Sequence, residues 1–155
     1  MRHRLIGLGL SALAVTRADR LLRRRTRGRG LILTLHHVRP EDGPAPDFAP
    51  NRLLSVTPAF LDTALAVLRA EGFRFVALSE VPGLLAAADP GVPFVAVTFD
   101  DGYRDNRDHA LPVLARHGVP WTLFVTPGFL DRTARLWWFE LEEAFRRLDR
   151  VRIEL

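Results

Sequence analysis

Cysteine and lysine are both missing from this chain of 155 residues. Without Cys there is no disulfide framework, no thiolate metal site and no thiol nucleophile. The absence does not select a compartment: it suits the cytosol and does not forbid export. All 22 basic residues are therefore Arg. No apolar run approaches the roughly 20 residues of a membrane-spanning helix. The glycine signatures G-x-G-x-x-G, the Walker loop and G-x-S-x-G do not occur either.

What is present points to one folded domain. The residues are 48% apolar, 26% charged and 9% aromatic, which excludes disorder, collagen-like repeats and a coiled coil. The length supports one modest domain with a real core and is too short for two. Residues 1–30 hold nine Arg and one acid, Asp19, for a net charge of +8; the rest hold 13 Arg against 17 acids, for a net of −4. The pI near 11.0 thus describes a basic leader attached to a mildly acidic domain, and no nucleic-acid partner is expected from it.

The leader, residues 1–29, places an apolar stretch, Leu5–Val15, between Arg2 and Arg4 on one side and Arg17, Arg20 and Arg23–Arg25 on the other. Ile6, Leu10, Leu13 and Leu21 recur at helical spacings, so a basic amphipathic helix is expected. Three roles remain open for it: packing on the domain, docking on an anionic membrane surface, or serving as a secretory signal cut near Ala12-Leu13-Ala14. Localisation therefore stays between cytoplasmic, peripheral to the inner membrane and exported.

Residues 30–155 alternate strand and helix. Leu31–Val38, Phe73–Leu78, Pro93–Phe99 and Pro120–Thr126 read as strands, and Val151–Leu155 as the start of a fifth. Between them come a long proline-containing loop over 39–56 and a helix capped by Thr57-Pro58 and closed by Gly72. A short helix from Ser79 to Ala88, one over Asp108–His117 closed by Gly118, and one over Leu136–Leu148 follow. The strands are apolar rather than alternating. That predicts an α/β fold with a parallel sheet covered by helices, either an open sheet or a barrel. The chain stops as a strand begins, so it is expected to be part of a larger fold.

The densest chemical signal is Thr98-Phe99-Asp100-Asp101-Gly102-Tyr103, where the third strand ends. Loops after strand C-termini carry the sites of parallel α/β folds. Two adjacent carboxylates repel each other. A divalent metal would relieve that, binding one carboxylate and leaving the other as a base on metal-bound water. The bland alternative is an Asp-Asp-Gly turn that merely ends a strand. His36-His37 ends the first strand; alternation lets at most one face the site, unless a terminal bend re-aims both. His109 and His117 are eight apart and read as surface or capping residues. Trp137-Trp138 is either a sugar-stacking platform or core, and core is favoured.

Taken together, FVAVTFDDGYRDNRDHALPVLARHGVPWTLFVTPGFLD resembles the opening half of the polysaccharide deacetylases, carbohydrate esterase family 4, with the nodulation-type chitooligosaccharide deacetylase domain. LILTLHHV and SVTPAFLDTALAVLRAEGFRFVALSE resemble the stretch upstream of that motif, so the likeness covers about residues 30–148. It implies the N-terminal part of a distorted (β/α) barrel and a metal-dependent hydrolase, with zinc the expected ion, that removes acetyl groups from N-acetylated glycans. Carried across, Asp100 resembles the general base, Asp101 the metal-binding Asp, and the Tyr103 N–H an oxyanion donor. His36 matches a first-strand His near the substrate.

The departure lies in the ligands. The family completes its metal site with a His pair in an H-[S/T]-x-x-x-H or H-[S/T]-x-x-H pattern, and the His of this sequence are 3, 36, 37, 109 and 117. The later elements that include the catalytic acid do not occur either. The chain alone is therefore expected to be a truncated portion that binds metal weakly and is inactive, the intact protein being the deacetylase. Two rivals stand beside this. A haloacid-dehalogenase-like phosphatase would need D-x-D, whereas the acids here are adjacent. A catalytically inactive, membrane-associated carbohydrate-binding module of the same scaffold would fit the missing His pair.

Overall fold

A computed structural model describes residues 2–16, 28–41, 43, 47–89, 91–148 and 150. Six strands lie among them: β1 (Gly30–Leu35), β2 (His37–Val38), β3 (Ser55–Val56), β4 (Arg74–Phe75), β5 (Phe94–Phe99) and β6 (Trp121–Leu123). Every pairing is parallel. β1 runs along one edge of β5 in register from Gly30↔Phe94 to Leu35↔Phe99. The other edge of β5 is shared, its start by β4 and its end by β6. β2 and β3 form a separate pair, His37 opposite Ser55. All six residues of β5 are buried, which is why its sequence is apolar without alternation. At Gly30 a side chain has no room: an added Cβ would stand 2.5 Å from the Phe94 carbonyl oxygen.

The expected strand Leu31–Val38 is two strands, broken at His36, and β1 is only half-buried, with Leu31 40% and Ile32 52% exposed. Among the described residues β5 is its single strand neighbour, so one edge of β1 carries no ladder. The expected strand at Val151–Leu155 lies outside the described residues.

The helices are α1 (Arg2–Thr16), α2 (Pro58–Ala70), α3 (Val81–Ala86), α4 (Leu111–His117), α5 (Pro127–Leu130) and α6 (Trp137–Arg147). α2 starts as the sequence requires: the Thr57 hydroxyl accepts the Phe60 N–H at 3.0 Å, and Pro58 occupies the first turn. Thr57→Ala should lower unfolding stability by about 1 kcal/mol in a urea titration. Leu61 and Leu65 of α2 bury against Val113 and Leu114 of α4, with Phe99 and Val97 of β5 in the same core. Phe99 meets the Trp121 ring edge-on at 5.6 Å.

The helix expected over Asp108–His117 starts earlier, with helical residues from Arg104 and a widened turn over Asn106–Ala110. There the Leu111 N–H reaches back five residues to the Asn106 carbonyl. Pro112 follows directly; having no N–H and a bulky ring, it would crowd a tight i−4 carbonyl, and the wide turn opens that register. Near the end of α4, His117 Nε2 lies 2.9 Å and Arg116 Nη2 2.8 Å from Asp62 Oδ1 on α2. The His117 hydrogen bond, then Arg116, holds the Asp62 carboxyl below its usual range. This link is present above the ordinary carboxylate pKa and is lost as pH falls through the lowered value. His117, expected at the surface or as a cap, is instead partly buried and links α4 to α2 through Asp62.

α1 differs from expectation in its pattern. Ile6, Leu8, Leu13 and Val15 are all exposed, and at 100° per residue Ile6 and Leu13 fall on one side of the helix and Leu8 and Val15 on the opposite one, so no single stripe forms. The rest of the leader, residues 17–27, lies outside the described residues.

Candidate active site

The C-terminal ends of β1 and β5 lie side by side, pinned where the Asp100 N–H meets the Leu35 carbonyl at 3.0 Å. The chain leaves β5 through Asp100 and turns at Asp101 and Gly102, which have φ of +69° and +74°. Gly tolerates that left-handed region; an Asp held there costs conformational energy, a strain that clusters at functional sites. Gly102 is also hemmed in, since a Cβ would stand 3.3 Å from a Val125 methyl. The sharp turn places Asp100, Asp101 and the Tyr103 N–H within one short loop. That N–H makes no backbone hydrogen bond among the described residues.

The break after β1 separates the two histidines. His36 faces the loop, its Nε2 4.0 Å from Asp100 Oδ2, with both side chains partly open to solvent. His37 turns inward and is 4% exposed. Its Nδ1 lies 2.7 Å from Asp105 Oδ2, while Asp105 Oδ1 accepts the Val38 N–H at 3.2 Å. Asn106 Nδ2 donates to the His36 carbonyl at 2.8 Å and to Asp105 Oδ1 at 3.2 Å. The His37 ring stacks on Tyr103 at 3.7 Å, and Phe139 of α6 meets both rings edge-on. Asp105 and Asn106 thereby tie the strand break to the residues that follow the aspartate loop. Sequence reasoning missed this clamp. Its one available signal was the His doublet: alternation sends its members to opposite sides, so the inward one needs a buried partner.

Tyr103 carries its hydroxyl into the protein, beside the Asp101 carboxylate and the Trp138 indole. Neither meets hydrogen-bond geometry, and Tyr103 Oη, Trp138 Nε1 and His37 Nε2 are all buried without a partner. Burial first, then the Asp101 charge, pushes the Tyr103 hydroxyl up to about 12. The chain has a single Tyr, so a phenolate absorbance titration reads this group alone. The midpoint should fall near 12 in metal-free protein, and Asp101→Asn should lower it by removing a neighbouring negative charge. Folding energy linked to this group is intact up to the ordinary tyrosine value near 10.0 and declines as pH rises toward 12.

Asp101 therefore points to Tyr103, while Asp100 faces His36. A catalytic zinc takes three protein ligands and an open position. Among the described residues no group of three His, Asp or Glu gathers to hold an ion. These side chains alone do not complete such a centre. Beside the site, a cleft of about 270 Å³ is lined by Arg39, Ser55, Phe139 and Arg146 and shares Phe139 with the His37–Tyr103 stack. The tryptophan pair is split: Trp137 is 62% exposed, and Trp138 packs inward against Phe129. Thr98, just before the aspartates, is buried, its hydroxyl donating to the Leu33 carbonyl at 3.2 Å.

Comparison with known proteins bears directly on this geometry. The polysaccharide deacetylase family model matches residues 87–152, a stretch that holds β5, both aspartates, Tyr103 and the clamp residues Asp105 and Asn106. No curated protein sequence matches the chain. Among solved structures, the Streptococcus pyogenes deacetylase PplD, in complex with acetate, is similar at a TM-score of 0.55 and 25% identity, over 74% of this chain and 51% of that one. A de-N-acetylase from Aggregatibacter actinomycetemcomitans shares the fold at a TM-score of 0.52 and 19% identity, over 64% of this chain. The chain spans about half the length of the first (51%) and 38% of the second. The parallel strands and covering helices are those of part of a (β/α) barrel. By sequence over residues 87–152 and by fold over 74% of its length, this chain is similar to part of the polysaccharide deacetylases.

Proposed function

We propose that the protein hydrolyses the acetamide of N-acetylated amino sugars in a polysaccharide or oligosaccharide, with residues 30–155 contributing to the deacetylase domain and residues 1–29 forming a separate leader. The observation that carries this reading is the juxtaposition at the strand ends: Asp100, strained Asp101 and a Tyr103 N–H without a backbone partner among the described residues, all in one loop, with His36 facing Asp100 at 4.0 Å. Similarity to a deacetylase solved with acetate supports it.

In this reading Asp100 is the base. Its carboxylate, partly exposed, accepts the proton of the attacking water. The Tyr103 N–H donates to the oxyanion that forms on the amide carbonyl. His36, at the end of β1, contacts the sugar beside the scissile bond. Asp101 is one ligand of a divalent cation, zinc by family resemblance, which supplies charge stabilisation when bound. The described residues do not furnish the rest of that ligand set, so the steps assigned above are those of this chain's own groups.

Incubating the intact enzyme, with its metal ligand set complete, with N-acetylated chitooligosaccharides tests the assignment; the 155-residue chain by itself is expected to release no acetate. Acetate and free amine should appear in equal amounts. Glycan binding by the intact protein without acetate release would favour the second reading, a catalytically inactive, membrane-associated carbohydrate-binding module on the same scaffold. Release of phosphate from phosphosugars in place of acetate would overturn both.

A further inference from the structure

Among the described residues, α1 has no partner in the folded body: neither hydrophobic core includes any of its described side chains. Ile6 is 59%, Leu8 68%, Leu13 43% and Val15 84% exposed. Gly7 and Gly9 face open space, so neither is there to let the helix approach another backbone. A helix with apolar residues on opposite sides is buried in a core or in lipid, and among the described residues no protein core covers this one. Its apolar stretch Leu5–Val15, bounded by Arg4 and Arg17, is shorter than the roughly 20 residues a membrane-spanning helix needs. Among the described residues no helix is long and apolar enough to cross a membrane.

The charge around α1 names the surface. Arg2 and Arg4 sit in its first turn, and the first 30 residues hold nine Arg against one acid, while the remainder is net negative. Arg side chains extend along apolar surface and leave their guanidinium groups at the headgroups. Anionic lipid attracts such a cluster and repels the acidic body. We infer that α1 is an interfacial anchor that embeds in the headgroup region of an anionic membrane without spanning it. The apolar stretch Leu5–Val15 favours lipid over nucleic acid, since phosphate binding alone requires no run of Leu, Ile and Val.

Vesicle co-sedimentation of the full chain tests this independently of any enzymatic activity. The probes are phosphatidylcholine vesicles with and without about one-third phosphatidylglycerol. The anionic vesicles should bind at least about ten-fold more tightly, and salt of about 0.5 M should remove most of the difference. The double variant Leu8→Asp, Leu13→Asp should also lose about ten-fold or more while keeping the wild-type thermal midpoint, because α1 lies outside both cores. The anchor is overturned by equal binding to both vesicles, by binding unaffected in the double variant, or by no vesicle binding alongside tight binding to single-stranded RNA. A mature protein beginning at Val15 would equally overturn it, identifying residues 1–14 as a removed signal.

Discussion

In the intact enzyme, replacing Asp100 by Asn should lower acetate release from an N-acetylated oligosaccharide by about 10³-fold. The amide cannot take up the proton of the attacking water, yet its shape is unchanged. Stability should shift by less than about 0.5 kcal/mol: the carboxylate is 37% exposed, and its nearest ionic partner, His36, stands 4.0 Å away. A kcat loss with an unmoved urea midpoint separates chemistry from folding. If Asp100→Asn keeps near-full turnover, Asp100 is not the base.

Asp105→Ala should do the reverse and damage the fold first. One carboxylate meets His37 Nδ1 at 2.7 Å, the Val38 N–H at 3.2 Å and Asn106 Nδ2 at 3.2 Å. Removing it strands the ring nitrogen of a nearly buried His together with a backbone donor. The loss should be about 3 kcal/mol, read from denaturant unfolding. Asp105→Asn keeps an acceptor for the Val38 N–H and should lose about half as much. Equal stability of wild type and Asp105→Ala would mean the clamp carries no energy.

The central strand was fully legible from its residues. Pro93–Phe99 has no polar face, and a strand buried on both sides needs none; the structure shows Phe94–Phe99 buried throughout. The cap at Thr57 was legible for the same local reason, since its partner is three residues away. What escaped was set by long-range contacts. The break at His36 depends on Asn106, 70 positions later, holding the His36 carbonyl. The half-exposed face of β1 follows from its place in the sheet, which apolar content cannot report. Spacing gave the leader an amphipathic stripe, but of the α1 residues only Ile6, Leu10 and Leu13 entered that pattern. Val15 and Leu8 fall on the other side. At the site, the aspartate pair announced itself as two repelling charges at a strand end. The clamp behind it did not, because nothing local links His37 to Asp105, 68 positions away.

The most direct test is where the acetamide sits. Amide shifts and methyl contacts should be mapped by NMR while an N-acetylglucosamine oligomer is titrated into the Asp100→Asn protein. The account predicts the largest shifts at the Tyr103 N–H and at His36, with the acetyl methyl close to both. Perturbations confined to the neighbouring cleft around Arg39 and Phe139, with the aspartate loop unmoved, would contradict it.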